Sequence, residues 1–258
     1  MGELEDKSDA LLPWLTRVPP KGKGICRICH GPSRSMVPSK SCKSCFDRLH
    51  SVSWKLQSVA PITMYWKYWK DRQEGYGPIY PHLRDYKKPG ASTDLQVGVA
   101  ALIVRFLQAH KACLEEQFGH WTSIVVPPSS SGTRLGKVHP LESLLKKTSL
   151  KEQVADPCLA RTSAEVGERE ASDDRYKTTR SVKGDQILII DDVWITGSSV
   201  LSAASRLSLD GATVVGSVVV GRQIDPTWSN DISYWEMVTA KPFRFENCCL
   251  AEPPHTDA

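Results

Sequence analysis

The sequence predicts an α/β protein in which a parallel sheet carries helices on both faces and a small four-cysteine module lies N-terminal to it. The apolar run Ile187–Ile190 has no polar alternation, which is typical of a strand buried on both faces of a parallel sheet. A helical pattern follows this run, and strand and helix patterns alternate elsewhere in the second half of the chain, as in parallel α/β sheets. Two C-x2-C pairs within residues 26–45 predict a metal-stabilised module, because so short a segment lacks an adequate core.

The other elements follow from hydrophobic periodicity and from residues that begin or end a helix. Asp94 is a favourable N-cap, and the apolar spacing after it predicts an amphipathic helix through Leu107. Gly211 is placed to end the helix that follows Gly197. The remaining predicted elements are, in order, strand 123–126, helix 140–147, strand 186–191 and strand 213–220. We expect a parallel twisted sheet of about five strands in all.

Composition and charge limit the class of protein. With 258 residues, 40% of them hydrophobic and 24% charged, the chain has the profile of a soluble globular protein. The longest apolar stretch, Val97–Leu107, is too short to span a bilayer and contains Arg105, so we expect no membrane span. The first residues are acidic, with no basic region before an apolar one, so no secretory signal is expected and a cytoplasmic location is predicted.

The net charge of +4 is unevenly distributed along the chain. Residues 17–90 carry a net charge of +11 and residues 91–258 a net charge of −4, which favours two modules with different partners. The predicted organisation is a flexible N-terminus, a basic zinc-binding module with a connector, an α/β domain and a C-terminal tail. Their bounds are 1–20, 21–90, 91–247 and 248–258.

Four of the eight cysteines form two pairs, Cys26 with Cys29 and Cys42 with Cys45. A tight turn at each pair would let two thiolates converge on one ion, and together the pairs supply the four-sulfur set that Zn²⁺ prefers. We therefore predict a structural Zn²⁺ site. Three alternatives stay open: haem attachment at the C-x-x-C-H pattern that ends in His30, a thioredoxin-like redox pair, and a histidine in place of one cysteine ligand. The other four cysteines are interpreted as buried or incidental thiols, although the adjacent pair at the end is also capable of binding a metal: Cys113, Cys158, Cys248 and Cys249.

The most informative pattern is ILIIDDVWITGSS, residues 187–199, in which a strand ends in Asp191 and Asp192 and a helix begins after Gly197. A helix N-terminus offers unpaired N–H groups and the positive end of a dipole, and glycine lets a ligand approach the backbone. The pattern predicts a monophosphate cup beside two carboxylates that can accept hydrogen bonds from ribose hydroxyls. The alternative is an ordinary strand-turn-helix whose acids face solvent. The predicted cup residues are Val193, Ile195, Thr196, Gly197, Ser198 and Ser199.

A second loop, which contains SSSG, follows the predicted strand 123–126. Small hydroxyl residues and Gly132 would let backbone amides face an anion, although the same string is also typical of a flexible loop. The predicted anion-binding residues here are Ser129, Ser130, Ser131 and Arg134.

The 187–199 segment resembles the signature of type I phosphoribosyltransferases, in which a hydrophobic strand and two acids precede Thr-Gly-Ser/Thr-Ser/Thr. The resemblance implies binding of phosphoribosyl pyrophosphate with Mg²⁺, with Asp191 and Asp192 at the ribose hydroxyls and residues 196–199 at the 5-phosphate. With the N-terminal cysteine pairs, the chain is similar to the ComF family, named for competence and DNA uptake. Residues 86–90, Tyr-Lys-Lys-Pro-Gly, also resemble that family, whereas its Arg-Gly-Phe-Asn-Gln run is replaced by residues 136–140.

The resemblance implies an enzyme that transfers phosphoribose to an unknown acceptor and releases pyrophosphate. It also implies a mobile flap over residues 159–183 whose arginines meet the pyrophosphate; a solvated loop is the alternative. The alternative function is a non-catalytic sensor or adaptor for phosphoribosyl ligands in DNA uptake or nucleic-acid handling, with the zinc module docking DNA or a competence-type protein. Aromatic residues interleaved with lysines between Trp54 and Tyr80 suit single-stranded DNA, but they also suit the buried face of a strand.

Overall fold

A computed structural model of the protein describes residues 2–33, 41–66, 77, 79–129, 137–225 and 231–250. Its helices are α1 (Gly2–Asp9), α2 (Lys43–His50), α3 (Tyr80–Asp85), α4 (Thr93–Phe118), α5 (Pro140–Leu145), α6 (Ser198–Leu209) and α7 (Asp231–Thr239), with a 3-10 turn at Leu12–Trp14. Its strands are β1 (Val59–Trp66), β2 (Ser123–Val125), β3 (Leu159–Arg161), β4 (Tyr176–Thr178), β5 (Gln186–Trp194) and β6 (Thr213–Ile224).

Four strands form one parallel sheet in the order β1-β6-β5-β2. The two central strands are predicted correctly, but both continue further than expected, β5 to Trp194 and β6 to Ile224. Strands β3 and β4 form a separate antiparallel pair. The described part of the parallel sheet therefore has fewer strands than expected. Because β5 continues past its two acids, those acids lie within the strand rather than after it.

The sheet separates two hydrophobic cores. Leu188 and Ile190 belong to the core that contains α4, whereas Ile187 and Ile189 belong to the core that contains α6 and the four-cysteine module. This is the two-sided burial that an apolar run without alternation predicts, and each buried Leu or Ile contributes about 1.5–3 kcal/mol to folding. The predicted fold class, a parallel α/β sheet with helices on both faces and a small N-terminal four-cysteine module, is confirmed.

Helix α4 is the long helix of the first core. Ser92 Oγ accepts a hydrogen bond from Leu95 N at 3.3 Å, so the N-cap is Ser92 and the prediction of Asp94 at this position is wrong. Within the described part of the chain, α4 is the one helix long and apolar enough to cross a membrane. Since 67% of its apolar window is buried inside the protein, α4 has the surroundings of a core helix.

The N-terminal residues differ from the prediction of a flexible segment over residues 1–20. Helix α1 lies against α4, where Lys7 pairs with Asp94 at 2.5 Å and Arg105 pairs with Asp9. The segment after α1 is held because its apolar side chains join the α4 core. These side chains are Leu11, Leu15 and Val18.

Strand β1 lies within the predicted module 21–90, yet it forms one edge of the sheet. Its run VAPITMYW is buried along nearly its whole length, and Ala60 pairs with Val218 of β6. The sheet therefore extends across the predicted boundary at residue 90. In the predicted tail 248–258, residues 248–250 are buried in the α4 core and residues 251–258 lie outside the described residues.

Candidate functional site

A cavity of about 310 Å³ opens at the carboxyl end of β5. It is lined by the two acids of β5, the loop before α6 and the first turn of α6. The structure thus brings together every residue predicted from the 187–199 pattern. These lining residues are Asp191, Asp192, Val193, Ile195, Thr196, Gly197, Ser198 and Ser199. Ligands of parallel α/β sheets bind at this edge.

Gly197 determines the shape of the loop before α6. Its φ of +82° lies in the left-handed region, and a Cβ built on it would lie 2.2 Å from Trp194 Cζ2. Because Trp194 is 1% exposed, its ring fills the space beneath the loop and leaves room for glycine alone. The N-cap of α6 is Gly197, which has no side chain to accept from the first N–H groups of the helix. The first turn of α6 lines the cavity, where these N–H groups and the helix dipole favour an anion.

Asp192 is held by two residues from the segment that precedes α4. Tyr86 Oη donates a hydrogen bond to Asp192 Oδ2 at 2.6 Å, and Lys87 Nζ forms an ion pair with the same oxygen. Burial opposes ionisation of Asp192, but the charge of Lys87 and the hydrogen bonds from Lys87 and Tyr86 outweigh it and lower the pKa of Asp192. Asp192 is therefore an oriented carboxylate. The sequence marks Tyr86 and Lys87 through a family resemblance alone, because their role depends on a contact across 106 positions.

Asp191 ionises differently from its neighbour. Its Oδ1 accepts a hydrogen bond from Asp192 N at 2.9 Å. Burial and then the negative charge of Asp192 raise the pKa of Asp191 to about 8. At neutral pH the pair therefore combines an ionised carboxylate with a largely protonated carboxyl. Two acids whose pKa values move apart are typical of sites that transfer protons or bind cations.

His139 lies beside the two acids. One ring nitrogen of His139 and carboxylate oxygens of Asp191 and Asp192 lie within 4.8 Å of one another. His139 Nδ1 accepts a hydrogen bond from Leu141 N at 3.1 Å and caps α5, so the proton of the neutral imidazole is on Nε2. No motif marks this histidine in the sequence. The sequence indicates it only through its position immediately before Pro140, where the predicted helix 140–147 begins.

The second predicted anion loop reaches the cavity at its beginning. Pro127, Pro128 and Ser129, which follow β2, line the cavity next to the acids. The predicted residues Ser130, Ser131 and Arg134 lie outside the described residues. Their part in the site therefore stays a prediction, while Ser129 is placed at the cavity.

The polar stretch 159–183 contains the β3–β4 hairpin and contributes Glu168 and Arg169 to the cavity wall. Arg175, which is 1% exposed, donates hydrogen bonds to two backbone carbonyls of the loop 167–170, one of them at 2.6 Å. Arg175 therefore holds the loop that carries Glu168 and Arg169. Among the described lining residues, Arg169 is the arginine of this stretch that reaches the cavity.

The four predicted metal ligands form one buried group whose sulfurs lie within 4.8 Å of one another. The Cys29 and Cys42 sulfurs are 3.9 Å apart, and tetrahedral coordination with Zn–S bonds of about 2.3 Å requires about 3.8 Å. Cys42 N donates a hydrogen bond to Cys26 Sγ at 3.2 Å, a contact that suits a thiolate. The buried group formed by Cys26, Cys29, Cys42 and Cys45 is therefore able to hold a metal ion.

The two cysteine pairs lie on different local structures. The pair Cys26–Cys29 occupies a turn between the bridge partners Ile25 and Pro32, as expected. The second pair differs from expectation: Cys42 is the N-cap of α2 and Cys45 lies in its first turn. The positive end of the α2 dipole stabilises thiolates there, as a turn would not.

The histidines near the cysteine pairs lie outside the four-cysteine group. His30 Nδ1 is 2.9 Å from Pro19 O, and burial lowers the pKa of His30 to about 4. His50 is exposed, and its Nδ1 is 2.7 Å from Phe46 O. All four cysteines converge, which favours a four-sulfur site over a histidine ligand, haem attachment or an isolated redox pair.

Arg222 connects the four-cysteine group to the cavity loop. Its buried guanidinium donates from Nη1 to Ile195 O at 3.0 Å and to Trp194 O at 3.3 Å. Burial opposes the charge, but nearby thiolates, foremost Cys29, raise the pKa of Arg222. Gly31 leaves room for the side chain, because a Cβ there would be 3.0 Å from Arg222 Nη2. One cation thus contacts the cysteine group and two carbonyls of the loop before α6.

Of the segment with aromatic residues and lysines between Trp54 and Tyr80, the structure describes the first part, residues 54–66. Tyr65 is 1% exposed, and the Trp66 ring packs edge-on against Trp235 with centroids 4.4 Å apart. Both residues belong to β1 and to the protein interior, which favours the buried-strand interpretation for them. Residues 67–76 lie outside the described residues.

Neither a protein-family model nor a curated protein sequence matches the chain. The chain is similar to UMP synthase from Leishmania donovani, with 15% identity and a TM-score of 0.35 over 76% of this chain and 33% of that one. A purine phosphoribosyltransferase from Pyrococcus horikoshii Ot3 has 16% identity and a TM-score of 0.26, over 49% and 90% of the two chains. An adenine phosphoribosyltransferase from Rhodothermus marinus DSM 4252 has 15% identity and a TM-score of 0.29, over 70% and 98%. The chain spans about a third of the UMP synthase, and likeness this weak carries no conclusion about activity.

Proposed function

We propose that the protein binds phosphoribosyl pyrophosphate with Mg²⁺ and transfers the phosphoribosyl group to an acceptor, with release of pyrophosphate. The observation that carries this proposal is the cavity, which is lined by a helix N-terminus with a glycine N-cap and by two carboxyls of different pKa. A ribose 5-phosphate needs donors for its phosphate and acceptors for its hydroxyls. The resemblance of residues 187–199 to the type I phosphoribosyltransferase signature points to the same ligand.

The 5-phosphate would bind at the start of α6. The backbone N–H groups after Gly197 and the hydroxyl of Thr196 are the donors that the cavity offers there. The Ser198 hydroxyl already donates to Glu168 O at 2.9 Å, so Ser198 would contribute its backbone N–H. That hydroxyl instead ties the loop of Glu168 and Arg169 to the phosphate cup.

The ribose would lie over the two acids. Asp192, kept ionised by Tyr86 and Lys87, would accept a hydrogen bond from a ribose hydroxyl. In the reaction the bond from the anomeric carbon to pyrophosphate breaks with its electron pair, and the acceptor's lone pair forms the new bond. Positive charge develops on the ribose as pyrophosphate leaves, and a fixed carboxylate beside it stabilises that charge.

Asp191 and Asp192 are the described residues that fit Mg²⁺, since this ion prefers oxygen ligands and is usually held by one or two carboxylates together with substrate phosphates. The ion would neutralise charge on the departing pyrophosphate. The cation would also lower the pKa of Asp191 and favour its ionised form. Arg169, which also lines the cavity, would supply a further positive charge for the pyrophosphate.

The four-cysteine group is proposed to hold a structural Zn²⁺. The sulfur spacing fits tetrahedral coordination, and the group lies in the core on the α6 side of the sheet. Together with the motif at 187–199, it supports membership of the ComF family. Because β1 of the predicted module 21–90 pairs with β6, the proposed organisation is a small four-cysteine module that is joined through β1 to an α/β domain over residues 91–247.

A second candidate function is a non-catalytic sensor or adaptor that binds the same phosphoribosyl ligand. The sequence supports it because residues 136–140 lack the family's Arg-Gly-Phe-Asn-Gln run. In that role the zinc module would dock single-stranded DNA or a competence-type protein partner.

Isothermal titration with phosphoribosyl pyrophosphate and Mg²⁺ tests the ligand. We expect wild type to bind, and Asp191→Asn and Asp192→Asn to bind at least about tenfold more weakly, equivalent to about 1.4 kcal/mol. Asp47→Asn, at an exposed α2 position outside the cavity, is the matched control. Absence of binding by wild type would rule out both candidate functions.

Pyrophosphate release distinguishes the two candidates. A panel of nucleobases and amines is offered with phosphoribosyl pyrophosphate and Mg²⁺, and the proposed transferase is expected to release pyrophosphate with at least one of them. Binding without release across the whole panel favours the sensor.

A further inference from the structure

A second group of metal-ligating side chains lies on the other side of the sheet from the four-cysteine group. His110 and Cys113 of α4 and Cys248 of the C-terminal segment each place one ligand atom within 4.8 Å of the others. The Cys113 and Cys248 sulfurs are 2.9 Å apart, which is closer than the roughly 3.8 Å of tetrahedral Zn²⁺ coordination, so the two sulfurs would move apart by about 1 Å when an ion binds. All three residues are buried, and both thiols belong to the α4 core.

The local structure of α4 brings two of the three ligands together. His110 and Cys113 are three positions apart, so they lie on one face of the helix. The helix is distorted at His110, where φ is −117° and ψ is 15°, and Cys113 Sγ donates to His110 O at 3.2 Å. The distortion of α4 therefore occurs at His110, one of the three candidate metal ligands.

The imidazole of His110 supplies an independent observation. His110 is 3% exposed, and its Nε2 has no hydrogen-bond partner among the described residues. A buried polar nitrogen is normally paired. A disulfide between the two cysteines would use both sulfurs and leave this nitrogen as it is, whereas a metal ion would use all three donors.

We propose that His110, Cys113 and Cys248 bind Zn²⁺ and that this ion ties the C-terminal segment to α4. Thiolate sulfur and imidazole nitrogen are ligands that Zn²⁺ prefers. Two thiolates neutralise the charge of a divalent ion, so the site is neutral as a whole and suits an apolar core. Cys113 and Cys248 are buried, as one of the two interpretations from the sequence expects, and the proposal adds a role for them as metal ligands.

The C-terminal segment is the part of the chain that an ion at this site would hold against α4. Residues 240–250 form no helix or strand, and they are held by a bridge from Pro242 to Thr16 and by Arg105 stacked 4.0 Å from the Phe245 ring. The adjacent Cys249 is not a member of the group, because its sulfur lies 3.8 Å from Pro61 O. An ion would add a further attachment, next to the last described residues.

Metal analysis of the full-length protein, purified without oxygen or chelator, tests the site. We expect wild type to carry about one zinc per chain more than Cys248→Ser and His110→Gln. Cys249→Ser, equally buried and adjacent, is the matched control and keeps the wild-type zinc content. Because the zinc content of wild type is compared with that of each variant, the expected difference does not depend on the occupancy of the four-cysteine group. Equal zinc in all four proteins, or a Cys113–Cys248 disulfide in the peptide map of wild type, would overturn the proposal.

If the variants do not fold, hydrogen exchange on wild type tests the proposed zinc site instead. Removal of metal with a chelator is expected to speed amide exchange in residues 240–250 by at least about tenfold, and added Zn²⁺ is expected to reverse it. Exchange in this segment that is unchanged by the chelator contradicts the proposal.

Discussion

Replacement of Gly197 by alanine tests the placement of the phosphate cup most directly. The backbone there has a φ of +82°, and the new Cβ would lie 2.2 Å from the buried Trp194 ring. A left-handed conformation costs alanine about 1–2 kcal/mol, and overpacking of a full interior costs about 1–3 kcal/mol more. We therefore expect Gly197→Ala to lower the free energy of unfolding by about 2–5 kcal/mol.

Gly184→Ala is the matched control, because Gly184 has a φ of +86° and a Cβ there would meet nothing within 4 Å. It carries the backbone cost without the clash, about 1–2 kcal/mol. For a chain of this size 1 kcal/mol is about 2–4 °C in Tm, so we expect losses of about 2–8 °C for Gly184→Ala and about 4–20 °C for Gly197→Ala.

Thermal unfolding and titration with phosphoribosyl pyrophosphate measure the two effects separately. Gly197→Ala should also weaken ligand binding at least about tenfold, or about 1.4 kcal/mol, whereas Gly184→Ala should bind as wild type does. Equal Tm losses for the two variants, together with unchanged binding by Gly197→Ala, would refute the position of Trp194 beneath the loop.

Three further predictions concern the charges around the cavity. Burial and the charge of Asp192 raise the pKa of Asp191 in the folded protein to about 8, from a usual value of 3.8. As pH rises from about 4 to about 8, Asp191 therefore loses its proton in the unfolded chain while it keeps the proton in the folded one, and the stability of wild type falls. Asp191→Asn removes this loss; its Tm advantage should grow over that range in melts at several pH values, and a constant difference contradicts the prediction. Tyr86→Phe removes a hydrogen bond to a buried carboxylate and should cost about 1.5–3 kcal/mol in denaturant unfolding at neutral pH; no measurable loss would count against that contact. Arg222→Met removes the cation between Cys29 and the cavity loop. We expect faster loss of zinc to a chelator and at least about tenfold weaker ligand binding. If neither changes, Arg222 does not connect the four-cysteine group to the cavity.

Much of the fold is predictable because its signals are local. The apolar run before Asp191 predicts a strand buried on both faces, and Gly211 correctly predicts the end of α6, where its φ is +95°. The ends of elements are less predictable. Asp94 has the side chain of an N-cap, but Ser92 takes that position, since tertiary packing chooses between two suitable residues. Strand β1 ends in two aromatic residues, Tyr65 and Trp66, that also suit a surface, and their burial depends on β6 and α7.

The sequence by itself determined the residue types and spacings that act locally: two C-x2-C pairs, a two-sided apolar strand, and two acids before a glycine that starts a helix. The tertiary structure alone decided how those groups behave. Asp191 and Asp192 are chemically identical neighbours, and their pKa values move apart because Lys87 and Tyr86, distant in sequence, bind Asp192, whereas burial and the charge of Asp192 outweigh the charge of Lys87 at Asp191. The association of α4 with the C-terminal segment is likewise absent from any local pattern. Burial and long-range charge depend on the packed chain, so a linear pattern names candidate side chains but not their ionisation or their partners.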